Sequence, residues 1–248
     1  MARLTVADDE VELASRAAER IAQLIAAAAS AHGSAIVSLT GGATPRRLYS
    51  ELADPRQPWR SRIPWPQVQL FWGDERHVPP DHSDSNYRMA KTTLLDHVPI
   101  PADHVHRMRG ELPDAHQAAA DYEAVLDSVT SFDLMLLGIG EDAHIASIFP
   151  GSELLEPQTQ PGVGRPLARR RVAAIWAPHL AAWRITLTPE TILDSHALVV
   201  LAVGSAKAEA VRAALHESLD AKKYPAHLLR NAGDRVEWFV DRAAAARL

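Results

Sequence analysis

Four times along this chain a short apolar run ends at or next to a glycine and gives way at once to polar or titratable residues. Ala35-Ile-Val-Ser-Leu39 leads into Thr40-Gly-Gly-Ala-Thr-Pro45, and Val68-Gln-Leu-Phe-Trp72 into Gly73-Asp-Glu-Arg-His-Val-Pro79. Leu134-Met-Leu-Leu137 leads into Gly138-Ile-Gly-Glu-Asp-Ala-His144, and Ala197-Leu-Val-Val-Leu-Ala-Val203 into Gly204-Ser-Ala-Lys207. Each run is short enough for a strand and too short for a free-standing helix. Helical patterns lie between them: Val11, Ala14, Ala18, Ile21, Ile25 and Ala28 recur at three- and four-residue steps. Such alternation predicts a single α/β domain over residues 1–248, with a Rossmann-like, mainly parallel sheet covered by helices on both faces. In a parallel sheet the carboxyl ends of the strands share one edge, so the four loops are expected to converge on a common cleft.

Composition narrows the partners. Hydrophobic residues make up 47% of the 248, enough for a real core, and the formal net charge is -5. There is thus no global basic field for nucleic acid, and the cluster of Arg165 and Arg169-Arg-Arg171 reads as a solvated loop face. Cysteine is absent, which excludes disulfides, thiolate metal sites and a cysteine nucleophile. No stretch reaches the roughly 18 apolar residues of a membrane helix, and the first residues carry no signal-peptide core. The expectation is a soluble cytoplasmic protein, monomer or weak homo-oligomer, without nucleic-acid or membrane partners.

The local signals add detail. Residues 3–7 read as an edge strand, followed by a helix capped by Asp8 or Asp9 and ended by His32-Gly33. Thr44 is expected to cap the next helix, with Pro45 at its first position and 46–53 as its body. Ser85 or Asn86 is expected to cap a helix over 87–95, and 114–129 to form an alanine-rich one. Residues 145–149 are expected to start a helix behind His144, and 157–166 to form a loop. Strands are predicted over 172–176, 184–188 and 235–240, helices over 208–217 and 224–229, and a small helix at the C-terminus. The total is roughly seven strands alternating with helices, without repeats.

One corner of the expected cleft is an anion cradle. The free N–H groups of Gly41, Gly42, Ala43 and Thr44 at a helix start attract negative charge, and Lys207, one of four lysines in the chain, supplies the counter-charge. The other corner holds His144, carboxylates and Arg76. Histidine titrates near neutral pH and takes a proton from water; Asp142 holds its tautomer through a loop turn; arginine stabilises an oxyanion. The set suits hydrolysis or proton transfer on a small phosphorylated metabolite. No G-x-S-x-G occurs, so a serine acyl-enzyme is not indicated, and Asp142 with His144 lack a third metal ligand. His97, His104, His106 and His116 read as surface or packing residues.

The loops at 40–45, 72–79 and 137–151, in that order, resemble those of the 6-phosphogluconolactonase family, as do Arg184-Ile-Thr-Leu-Thr188 and Gly204-Ser-Ala-Lys207. The resemblance covers nearly the whole chain. It implies a fold related to glucosamine-6-phosphate deaminase and ribose-5-phosphate isomerase, and hydrolysis of 6-phospho-D-glucono-1,5-lactone in the pentose phosphate pathway without metal or cofactor. It further implies His144 as general base, Asp142 as its partner, Arg76 at the oxyanion and Asp74 shaping the sugar site. The 41–44 loop, Arg184 and Lys207 would hold the 6-phosphate.

One residue departs from the pattern. The family usually has Asp-Gly-His, where this chain has Asp142-Ala143-His144. If the backbone there needs a positive φ, alanine costs on the order of 1 kcal/mol. If glycine serves to clear the substrate, Ala143 narrows the pocket. Related deaminases lack an arginine after Asp-Glu and place a glutamate after the histidine; Asp74-Glu-Arg76 and Ser147-Ile-Phe-Pro150 favour the lactonase. A non-catalytic sugar-phosphate sensor would have no need of His144, Asp142 and Arg76 together, and a purely structural domain leaves the four strand ends unexplained.

Overall fold

A computed structural model describes residues 2–156 and 170–248. The chain starts with strand β1 (Arg3–Ala7), helix α1 (Glu10–His32), β2 (Ala35–Leu39) and α2 (Ala43–Ala53). After β3 (Val68–Trp72) come β4 (Asp74–Arg76), α3 (Asn86–Thr93), α4 (Ala115–Val125) and β5 (Leu134–Gly138). The last part contains β6 (Val172–Ala177), β7 (Ala182–Leu187), α5 (Pro189–Leu193), β8 (Ala197–Ala202), α6 (Ala208–His216) and β9 (Val236–Asp241).

Six strands form one sheet in the order β1-β9-β8-β5-β2-β3, every pairing parallel. β1 is at its edge, as expected. β5 and β8 are buried along nearly their whole length, so both faces of the sheet are covered; this is why they read as unbroken apolar runs. From β2 the chain moves outward to β3, and from β5 it moves the other way to β8. Between β2 and β5 lies the switch point where sheets of this kind open a ligand crevice.

Three strands stand apart. β4, β7 and β6 form a second, antiparallel sheet, which α4 covers. The 73–78 stretch, expected as a plain loop, therefore begins with a short strand whose ladder partner is more than a hundred residues away. The 172–176 and 184–188 strands also belong here, so the described residues hold nine strands in two sheets rather than about seven in one.

The helix ends follow local chemistry, with corrections. Asp9 caps α1 through the Glu12 N–H, Gly33 ends it at φ 79°, and Ser85 caps α3 through Arg88 N. α2 starts earlier than Thr44-Pro45 signals: Gly42 is the N-cap, at φ 107°, and Pro45 is the third helical residue. Proline is tolerated there because first-turn N–H groups have no intrahelical acceptor. No helix forms over 145–149; Ala143 and Ala146 take positive φ (63° and 48°), and Ile145 bridges Ile148 across a tight turn. Residues 225–235 form 3₁₀ turns, and the expected C-terminal helix is only a run of turns. The predicted 157–166 loop and the Arg165 and Arg169 cluster positions lie outside the described residues. Among the described residues no helix is long and apolar enough to cross a membrane, and no group of His, Asp and Glu is arranged to hold a metal.

Candidate active site

The loop after β2 is held from below by α2. Tyr49, fully buried, accepts from Thr40 N–H at 2.9 Å and donates to Thr40 O at 2.8 Å. The two glycines that follow serve different needs. Gly42 supplies the positive φ that starts the helix, whereas Gly41 has an ordinary φ. A Cβ on Gly41 would lie 1.8 Å from Asn86 Oδ1, so close approach of another side chain demands glycine there.

β4 points its residues alternately. Asp74, almost fully buried, accepts from Ser147 Oγ at 2.8 Å, and Asn86 Nδ2 donates to its main-chain oxygen at 2.9 Å. Glu75, on the opposite side, is buried and forms no ion pair with a cation among the described residues. Its carboxylate accepts from the N–H groups of Arg76, Asn86 and Tyr87, each at 2.8 Å, and from Ser85 Oγ at 3.1 Å. Burial pushes its pKa up, and the three N–H groups pull it partly back. Arg76 donates to Asp84 O and pairs in register with Arg184 across β4 and β7. Burial, and after it the Arg76 charge, lower the Arg184 pKa, with Asp74 opposing. Two adjacent guanidinium groups, one half-buried, favour an anion between or beside them.

The β5 loop carries the histidine. Ala143 N donates to Gly140 O at 3.1 Å and Gly140 N to His144 O at 2.9 Å, closing a tight turn. In this turn His144 Nδ1 lies 2.6 Å from Asp142 Oδ1, and the His144 N–H reaches the same oxygen at 3.1 Å. Burial alone would raise the Asp142 pKa, but the hydrogen bond and charge of His144 outweigh it and bring it down to about 2. An ionised Asp142 accepts the Nδ1 proton and leaves the Nε2 lone pair free. A Cβ on Gly140 would fall 2.0 Å from His144 Nδ1, so this glycine makes room for the pair. Phe149 packs on the His144 ring, centroids 4.7 Å apart, and on His179 at 4.8 Å.

A cavity of about 250 Å³ at the β2/β5 switch point joins these pieces. Gly41, Gly42, Asp74, Arg76, His144 and Lys207 all line it, and Thr40, Asn86, Gly138, Ile139, Gly140 and Ala146 complete its wall. Lys207 has no ion-pair partner among the described residues. Asp142 and Arg184 stand one contact behind, on His144 and Arg76 respectively. Ala43 and Thr44 do not line it; Ala43 faces a larger cavity of about 920 Å³ that shares none of these residues. Ala143 is off the cavity and buried, at φ 63°. Of the two reasons for glycine at that position, the backbone one therefore applies. Sequence reasoning missed Asn86 as a wall residue, Ser147 as the partner of Asp74, and the buried role of Glu75. Only the neighbouring cap pattern marked Asn86, and nothing local marked the other two.

The family model for glucosamine-6-phosphate isomerases/6-phosphogluconolactonase matches residues 8–238. A 6-phosphogluconolactonase of Nostoc sp. is 32% identical, covering 98% of this chain and 97% of the relative. That of Mycobacterium tuberculosis is 37% identical, covering 95% and 94%. Among solved structures, 6-phosphogluconolactonase from Trypanosoma brucei superposes with a TM-score of 0.84 at 29% identity, covering 100% of this chain and 99% of that one. A monomeric glucosamine-6-phosphate deaminase shares the fold, with a TM-score of 0.82 at 23% identity. The parallel six-stranded sheet, the switch-point cavity and these full-length matches place the chain in the glucosamine-6-phosphate isomerase/6-phosphogluconolactonase family.

Proposed function

We propose that this chain hydrolyses 6-phospho-D-glucono-1,5-lactone to 6-phospho-D-gluconate, the lactonase step of the oxidative pentose phosphate pathway. Its relatives of 30–37% identity carry the name 6-phosphogluconolactonase. The observation that carries the reading is the His144–Asp142 pair, 2.6 Å apart, beside a cavity that also holds Arg76 and Lys207.

In this reading His144 Nε2 takes a proton from a water molecule as its oxygen bonds to the lactone C1. The C1 carbonyl electrons move onto oxygen, and the Arg76 guanidinium stabilises that charge. Collapse of the tetrahedral intermediate breaks the bond from C1 to the ring oxygen, which receives the proton back from imidazolium. Asp142 holds the ring orientation and stabilises the imidazolium while it lasts. Asp74 faces the sugar hydroxyls. The 6-phosphate takes the other end, bound by Lys207 and the N–H groups of Gly41 and Gly42 at the start of α2, with the Arg184 charge behind Arg76 adding to the positive field. The base, the oxyanion donor and the anion cradle are all side-chain or backbone groups of this chain.

The deciding measurement follows acid release from freshly generated lactone. A rate well above spontaneous hydrolysis is the expected result; a rate equal to the blank would overturn the reading.

A further inference from the structure

Asn86 is the first residue of α3 and is almost fully buried, yet it forms part of the cavity wall. Its side-chain amide spans two functional elements. Nδ2 donates to the Asp74 main-chain oxygen at 2.9 Å and lies 3.4 Å from Asp74 Oδ1. The other end of the amide fills the space over Gly41 where a Cβ would be, with Oδ1 1.8 Å and Cγ 2.3 Å from that point. Gly41 needs no positive φ, so Asn86 is the reason for glycine at 41. The wedge is itself fixed: Asn86 N donates to Glu75 Oε1 at 2.8 Å, and Glu75 is locked by Arg76, Tyr87 and Ser85 as well.

Gly41 belongs to the anion cradle and Asp74 to the sugar end of the cavity. A single amide thus sets the distance between the groups for the two ends of the ligand. None of its hydrogen bonds reaches the loop that carries His144. Resting on the lactonase reading above, we propose that Asn86 is a positioning residue. It holds the glycine loop and Asp74 at the separation that a phosphorylated sugar lactone requires, and so governs affinity rather than the chemical step.

The test is steady-state kinetics on the phosphorylated lactone with Asn86→Ala, Gly41→Ala and the double variant. Asn86→Ala is expected to raise KM roughly tenfold while kcat stays within about threefold. Gly41→Ala should also raise KM roughly tenfold, because its methyl collides with the amide. In the double variant the methyl enters the space the amide has left, so KM should stay near that of Asn86→Ala rather than show the product of the two effects. Asn86→Ser serves the same purpose should the alanine variant fold poorly, as judged by its melting curve. An unchanged KM in Asn86→Ala or Asn86→Ser, a loss confined to kcat, or multiplicative effects in the double variant would each overturn the proposal and leave the lactonase reading standing. An inert wild-type protein would overturn both.

Discussion

His144 Nδ1 and Asp142 Oδ1 lie 2.6 Å apart across a turn in which Ala143, between them, has a left-handed φ of 63°. The carboxylate therefore reaches the ring from two residues away, a contact that helical spacing does not provide. His144→Ala is expected to lower kcat by roughly 10²–10⁴-fold, the range for losing a general base. Asp142→Asn should lower kcat with little change in KM, since the amide holds the ring without stabilising imidazolium. The pair also has a pH signature. Asp142 falls from its ordinary 3.8 to about 2 in the folded protein, so its contribution is present above the unfolded value and is lost as pH falls through about 2. The melting-temperature gap between wild type and Asp142→Asn should be constant at neutral pH and close below roughly pH 4. A pH-independent gap would count against the assignment.

Gly140 is held to glycine by the same pair. A methyl there would meet His144 Nδ1 at 2.0 Å and Asp142 Oδ1 at 2.6 Å, and neither can yield without breaking their hydrogen bond. Gly140→Ala is expected to lose roughly 100-fold in kcat through misplacement of the base. Steady-state rates at saturating lactone check this, and a loss in KM alone would contradict it.

Ala143 sets two effects against each other. Glycine would relieve about 1–2 kcal/mol of left-handed strain. It would also give up a buried methyl, about 0.8 kcal/mol, and add unfolded-chain freedom of roughly 0.5–1 kcal/mol. The terms nearly cancel, so Ala143→Gly should shift the melting temperature by no more than about 4 °C. Because Ala143 does not line the cavity, kcat should change less than about threefold. Ala143→Val, a branched residue at positive φ in a closed site, should instead destabilise by more than about 2 kcal/mol. Thermal melts of the two variants separate backbone strain from pocket blockage.

The parallel sheet was legible because its strands are apolar on both faces and end at glycine loops; β2, β3, β5 and β8 all run as their patterns imply. From that alone His144, Arg76, Asp74 and Lys207 could be brought to one cleft. The second sheet was not legible, since pairing of Asp74–Arg76 with residues 184–186 depends on contacts no local pattern encodes. Residues 145–149 have helical apolar spacing, but positive φ at Ala143 and Ala146 turns the chain instead. Asn86, Ser147 and Glu75 acquire their roles largely through partners ten or more residues distant, up to 73 for Ser147 and Asp74, which is why a single sequence leaves them unmarked.

Lys207 sits at the mouth of β8 with no carboxylate to neutralise it among the described residues, and it lines the cavity with Arg76. A cation without a partner in the free protein is available to a phosphate dianion. Lys207→Ala is expected to raise KM for the phosphorylated lactone by roughly tenfold or more and to leave kcat within about threefold. The KM effect should shrink at high salt, where the Coulomb contribution is screened. If KM does not move, phosphate binding by Lys207 fails.

Glu75 supports the site from the interior. Each of its two oxygens accepts two hydrogen bonds, Oε1 from Arg76 N and Asn86 N and Oε2 from Tyr87 N and Ser85 Oγ. Glutamine keeps one acceptor and turns an NH₂ group toward donors at the other position. With Oε1 retained, Tyr87 N–H loses its acceptor; with Oε2 retained, Asn86 and Arg76 do. Leaving a buried N–H group unsatisfied costs about 1–3 kcal/mol, and the orientation that retains Oε1 loses only one, so Glu75→Gln should destabilise by roughly 1–3 kcal/mol. For a chain of this length that corresponds to a melting temperature lower by roughly 2–12 °C. The pH dependence has the opposite sign to that of Asp142. Burial raises the Glu75 pKa, so wild-type stability should fall as pH rises from the unfolded carboxyl range through the raised value, whereas Glu75→Gln lacks this slope. Thermal melts of both proteins from acid to neutral pH measure this. The idea fails if the two stability curves run parallel, because Glu75 would then not titrate between folded and unfolded states.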